Sequence, residues 1–167
     1  MSDPVTPLLA MYEKFQRYPF GDWLFSRAVC FKAPYFATIS PRITRLENGR
    51  CEATIRDRRK VHNHIGTVHA IALCNLAELC AGVMTDASLP KGMRWIPKGM
   101  TVQYLKKASG RLRAVATPTI ALVTSDSGYE FPVNVDVFDP AGERVFNADI
   151  RMWLSAQPLA RAAAKSS

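Results

Sequence analysis

No two cysteines stand in a CxxC pair. The four present, Cys30, Cys51, Cys74 and Cys80, are scattered, with no histidine near them at zinc-ligand spacing. Neither a metal site nor a disulfide framework is therefore expected. Cys74 and Cys80 lie in an apolar stretch, where a free thiol behaves as a small hydrophobe, and a reducing cytoplasm is the expected location. The start, Met1-Ser2-Asp3-Pro4, lacks the charged-then-apolar pattern of a signal peptide. The longest apolar stretch is interrupted by Asn75 and Glu78 and falls short of the ~18 residues a membrane span needs, so the expectation is a soluble protein with no membrane role. No internal repeat is visible. The recognition motifs and stacking aromatics of nucleic-acid binders are absent too, so no nucleic acid is expected as partner.

What is present is enough for one domain with a full core: 167 residues, 48% of them apolar. Lysine and arginine number 22 against 14 acids, a formal charge of +8, which favours an anionic ligand such as a phosphorylated small molecule. The basic residues are spread out except for the run Arg56-Asp57-Arg58-Arg59-Lys60.

In chain order, Asp3 or Thr6 can open a first helix, with Leu8, Leu9, Met11, Tyr12, Phe15 and Tyr18 on its apolar face. Pro19 and Gly21 interrupt it, and a second helix runs from Asp22 to about Phe31. Extended structure follows over Phe36–Leu46 and Cys51–Asp57, joined by the hairpin signal Asn48-Gly49. A helix runs from Val68 to about Thr85, with Thr67 reading as its N-cap. Four further extended segments are expected over Met93–Lys106, Arg111–Val123, Tyr129–Phe138 and Glu143–Leu154, separated by turn-like Gly and Asp clusters. Strands in succession with one helix set among them indicate an α+β fold, an antiparallel sheet packed on that helix. Residues 1–34 read as an N-terminal helical extension, 35–155 as the main domain and 156–167 as a flexible tail.

The helix after Thr67 is apolar on nearly every side, so it should be covered nearly all round, by a curled sheet, a second subunit or both. One carboxylate, Glu78, interrupts it. His69 lies nine residues earlier; at about 100° and 1.5 Å per residue the two point to opposite sides, roughly 13–14 Å apart along the axis. They cannot act on one atom from one chain. Two such helices lying antiparallel about a two-fold axis would bring His69 of one copy to Glu78 of the other, making two identical sites. Gly66 reads as a position needing positive φ.

Asn63-x-x-Gly66-x-x-His69 followed by an acid at Glu78 resembles the hotdog-fold acyl-CoA thioesterases of the phenylacetate type, in an uncharacterised branch of that superfamily. Thr101-Val102-Gln103-Tyr104-Leu105-Lys106-Lys107-Ala108 is similar to the strand after the family's helix, and the likeness covers about residues 35–154. The resemblance implies a long central helix wrapped by an antiparallel sheet, a homodimer or dimer of dimers, and sites between subunits. It implies an acyl-CoA substrate, with no cofactor beyond the coenzyme A of that substrate. Glu78 would be the base or nucleophile, Asn63 would position it or a water, and the Ala70 N–H after His69 would hold the oxyanion. A helix N-terminus suits that last task, because its N–H groups are unpaired and its dipole end is positive. The family's Gly-Gly after the histidine is Ala70-Ile71 here, and Pro97 stands where a small hydroxyl residue is frequent. Arg58, Arg59, Lys60, Lys106 and Lys107 are the candidates for holding the coenzyme A phosphates. A non-catalytic binder of acyl ligands on the same fold is the alternative.

Overall fold

The computed structural model describes residues 5–157. Helix α1 covers Pro7–Phe15, opened by Thr6, whose side chain accepts from the Leu9 N–H, with proline in the first turn. Helix α2 covers Gly21–Lys32. Strands β1 (Arg42–Glu47) and β2 (Arg50–Ile55) form a hairpin about Asn48-Gly49. Helix α3 runs over Ala70–Ser88, then come β3 (Met93–Tyr104), β4 (Leu112–Pro118), β5 (Tyr129–Phe138) and β6 (Arg144–Ala156). The sheet has six strands in the order β1-β2-β4-β5-β6-β3, and every pairing is antiparallel. A long central helix on such a sheet is the hotdog fold, of α+β class, as the sequence indicated.

The sheet is built by period-2 alternation. Cys51, Ala53 and Ile55, then Leu112, Ala114 and Ala116, then Phe131, Val133, Val135 and Val137, are buried on one face. Alanines at 53, 114 and 116 meet Ala72, Ala77 and Ala81 in the same buried cluster, and such small pairs let α3 lie close. Cys80 Sγ reaches the Cys51 carbonyl at 3.2 Å, which needs that closeness. Burial and the Cys80 neighbour push the Cys51 thiol well above its ordinary pKa, as fits a packing residue. Helices α1 and α2 join the same core: Tyr12 and Phe25 meet edge to face at 5.0 Å between ring centroids. Thr6 Oγ1 donates to the Ala87 carbonyl, and Ser26 Oγ accepts from the Ile43 N–H.

Three expectations are corrected. The extended segment expected from Phe36 begins instead as a 3-10 turn, Pro34–Thr38, and β1 starts only at Arg42. Pro34 presets the turn, and Ser40 at φ 46° reverses the chain before Pro41. Helix α3 begins at Ala70 with His69 as its cap, not at Val68 behind Thr67. Thr67 Oγ1 is taken by Asn63 Nδ2, and Val68 forms an antiparallel bridge with His62, so the chain is still extended there.

The third is β4, expected as far as Val123, which ends at Pro118. The burial of α3 is nearly complete, with one side left open. The helix packs on β2, β4 and β5 and touches β3 only sparsely. Ile71 (56% exposed), half-buried Cys74 and exposed Glu78 form an open stripe, at the spacing that places residues on one helix face. Within one chain the helix is therefore wrapped on all sides but this one. Below the stripe Trp95 closes the gap, lying so near Gly82 that a Cβ there would meet its ring at 3.0 Å.

Candidate active site

Glu78 lies in a cleft between α3 and the edge strand β3. The cleft is about 290 Å³ and is lined by Glu78, Pro97, Lys98, Gly99, Met100 and Ile150. It exists because β3 shifts register between Pro97 and Gly99. A bulge of this kind bends an edge strand and re-aims its side chains. After it, Met100 lines the Glu78 cleft, and Tyr104 bonds Cys74 Sγ through its hydroxyl at 3.3 Å. That bond, with some burial, pushes the Tyr104 phenol up to about 12. Pro97 supplies no hydroxyl at the cleft.

The other sequence-predicted group, the Ala70 N–H, is at the N-terminus of α3. No atom of the described residues accepts a hydrogen bond from it, whereas the Ile71 N–H is bonded by His69 Nδ1 at 3.0 Å. A His69 ring that accepts at Nδ1 carries its proton on Nε2 when neutral. The same cap geometry thus leaves one backbone donor free and one imidazole N–H to give. Ala70 and Glu78 are eight residues apart on one helix, about 12 Å along its axis. One chain does not bring them to one atom.

Asn63 and Gly66 build the loop before α3. Asn63 Oδ1 accepts from the Ile65 and Thr67 N–H groups, both at 3.1 Å, and its amide donates to Thr67 Oγ1 at 2.9 Å. Gly66 sits at φ 80°, where a side chain would be strained, although nothing crowds the position. Both residues shape the entry to α3, and Asn63 is not joined to Glu78 within the chain.

Of the basic candidates, Arg58 reaches the Ile39 carbonyl at 3.5 Å, while Arg59 and Lys60 are exposed in the 3-10 turn Arg59–Val61. Lys60 borders a second cavity. Lys106 is paired with Glu143 at 2.7 Å, and Lys107 is exposed just past β3.

That second cavity, about 220 Å³, opens beside the start of α3 and joins His69 and Lys60 to residues the motif did not single out. Lys60, His62, His69 and Tyr35 stand among its walls, with Thr38, Ile39, Ala72 and Asn75. His62 Nε2 pairs closely with Asp57 Oδ1, and Asp57 Oδ2 accepts from the Gly110 N–H at 2.6 Å. The Gly110 N–H and then the His62 ring hold the Asp57 carboxyl below its ordinary 3.8. The Asp57–His62 spacing in the sequence carries no periodicity that marks it: the pair forms because Arg58–Val61 coil into a turn.

A depressed carboxyl pKa contributes stability that is fully present above the unfolded value and is lost as pH falls through the folded one. Chemical denaturation midpoints of wild type and Asp57→Asn are therefore expected to differ most near neutrality. They should converge as pH drops below 3.8. A difference independent of pH would show that the carboxylate charge is not what matters.

The chain is similar in structure to several solved proteins. One is the structural-genomics protein APC5556: 44% identity, TM-score 0.77, covering 90% of this chain and 99% of that one. A second is the thioesterase HI1161 of Haemophilus influenzae, at 15% identity and TM-score 0.69, over 80% and 90% of the two chains. A third is the thioesterase enzyme SAV0944 of Staphylococcus aureus, crystallised as a mutant, at 15% identity and TM-score 0.65, over 73% and 98%. No curated protein matches the chain. At such low identity the two thioesterases share the fold, which is the hotdog fold read above. A family model described as "Domain of unknown function (DUF4442)" matches residues 21–154, and the chain belongs to that family.

Proposed function

We propose that the protein hydrolyses an acyl thioester, with coenzyme A as the thiol, at a site shared by two copies of the chain. The observation that carries this reading is the pairing of two unspent groups on one helix. The Ala70 N–H is unbonded at the positive end of α3, and the Glu78 carboxylate stands on that helix's uncovered stripe. An antiparallel α3 from a second copy lays Glu78 of one chain at Ala70 of the other, and it does so twice. The thioesterases that share the fold support the same class of chemistry.

In this reading the thioester carbonyl oxygen rests on the Ala70 N–H. Glu78 of the facing copy takes a proton from a water as its oxygen attacks the carbonyl carbon. The developing oxyanion is held by the amide and the helix dipole. The C–S bond then breaks, and the leaving thiolate takes the proton from Glu78, giving a free acid and free coenzyme A. Arg59, exposed near the start of α3, meets the phosphates. The purified protein is expected to release thiol from a panel of acyl-CoAs. Absence of turnover on every thioester tried would overturn the reading, and tight binding without turnover would favour the acyl-ligand binder instead.

The second copy has a place to dock. Strand β3 is twelve residues long and pairs on one side only, with β6. A long unpaired edge is a template for another strand. Met100 (38% exposed) and Tyr104 (51%) belong to it, Met100 in the cleft with Glu78 and Tyr104 bonded to Cys74. Met100→Glu places a charge in that apolar strip, and at a two-fold the charge is doubled. The variant is expected to be folded, monomeric by light scattering and inactive. A dimeric Met100→Glu protein, or a monomeric wild type that turns over thioesters, would remove the shared site.

A further inference from the structure

The cavity beside the start of α3 contains one atom the fold leaves unsatisfied. Asn75 is 6% exposed, and its Oδ1 is buried with no hydrogen-bond partner among the described residues, while its amide donates to Thr38 Oγ1 at 3.1 Å. A buried carbonyl without a donor is costly, and natural cores seldom keep one without a use. The bond to Thr38 uses the amide and leaves the carbonyl oxygen without a task in the fold. Asn75 follows the Ile71–Cys74–Glu78 stripe on a largely apolar helix, and a leucine would fill the same volume.

The surroundings say what would satisfy it. The cavity walls flank Ala70: His69, Ile71 and Ala72 all line it. At about 220 Å³ it is smaller than the ~300–1,000 Å³ of pockets that swallow a whole drug-sized ligand. It therefore suits a short segment of one. From Ala70 to Asn75 is five residues, about 7–8 Å along the helix, a reach that an acyl chain of a few carbons spans. Asn75 Oδ1 can only accept. The ligand must bring a donor, and it must do so among the apolar walls of Ile39, Ile71 and Ala72.

We propose that this cavity is the acyl subsite and that the substrate is a short hydroxyacyl thioester whose hydroxyl donates to Asn75 Oδ1. This rests on the thioester reading above. The His62 ring, held at Nε2 by Asp57, presents its other nitrogen as an acceptor when neutral, and His69 offers an N–H. The mouth of the cavity is thus polar, and its single buried acceptor sets the selection. A site built around a substrate hydroxyl discriminates strongly against the analogue lacking it, because the analogue leaves the acceptor unpaired.

The test uses the full chain and matched thioesters of coenzyme A: hexanoyl against 3-, 4- and 5-hydroxyhexanoyl. One hydroxylated member is expected to exceed hexanoyl in kcat/KM by about 10–100-fold. Asn75→Leu should erase that preference, bringing kcat/KM for the hydroxylated member down to that for hexanoyl, and its Tm should not fall. Equal rates across the wild-type panel would mean that a buried water satisfies Asn75, and would overturn the proposal without help from any variant. Uniform slowing of every member in Asn75→Leu would overturn it too, pointing to the pantetheine amide as the donor. If no thioester turns over, the thioester reading has failed. Calorimetry with the matching non-hydrolysable thioethers still decides this one: tighter binding of a hydroxyalkyl-CoA than of hexyl-CoA supports the subsite, and equal binding sinks it.

Discussion

Glu78→Gln is expected to lower thioester turnover by about 10²–10⁴-fold, the range a positioned general base contributes. Glutamine keeps the length and shape of the side chain and removes only the ability to take a proton. The position is exposed on the open stripe of α3 and makes no ion pair among the described residues, so the fold should be indifferent. Circular dichroism and Tm should match wild type, and KM should move little. Full activity in this variant would remove Glu78 from the chemistry and turn attention to the Asp57–His62 pair. Because the site is proposed to be shared, one more result follows. Glu78→Gln mixed and refolded with an inactive variant at Ala70 should recover part of the wild-type rate, since one mixed-dimer site carries both intact groups. A site confined to one chain recovers nothing.

Ala70→Pro tests the other half of the chemistry, and its expected loss is about 10²–10³-fold in kcat, or roughly 3–4 kcal/mol of transition-state stabilisation. Proline deletes the N–H and little else. Ala70 is the first residue of α3, where proline is well tolerated, because that N–H has no partner within a helix. The preceding residue must be extended for proline to follow, and His69 already is, at φ −65° and ψ 140°. The Ile71 N–H to His69 Nδ1 bond is untouched. The variant should therefore fold with an unchanged Tm and fail mainly in kcat, since an oxyanion donor acts where charge develops. A Tm drop with proportionate loss of activity would instead make Ala70 a structural position.

With Ile71 N–H occupied by the cap, one free amide rather than two stands at the start of α3 among the described residues. The Gly-Gly of the resembling family leaves room at that turn. Ala70-Ile71 replaces it with a methyl group and a branched side chain that lines the neighbouring cavity. In the proposed reading, the change would narrow the entrance to the acyl subsite.

Much of the architecture could be read from residue order. Period-2 runs such as Val133-Val135-Val137 and the Asn48-Gly49 turn specify strands and a hairpin locally, because alternation and positive φ are properties of adjacent residues. The apolar wheel of α3 and the acid in its middle, Glu78, specified a wrapped helix with a polar interruption. The start of that helix was not legible. Thr67 is a better cap than His69 by preference, but its hydroxyl was claimed by Asn63 across the loop. The segment after Pro34 misled for a similar reason. Phe36, Thr38 and Ile39 look like strand residues, yet they coil because Ser40 turns the chain back and the cavity floor needs Thr38 facing Asn75.

What the sequence determined by itself is therefore the set of elements, their order and the odd carboxylate, all encoded by neighbours within a turn or two. Only the tertiary structure decided which side of α3 stays open, because that depends on where β3 bulges at Pro97–Gly99 and how far the sheet curls. It alone joined Asp57 to His62 and Gly110, and it alone left Asn75 Oδ1 without a donor at the edge of a cavity. Such groups meet through packing between distant segments, and no local periodicity carries that information.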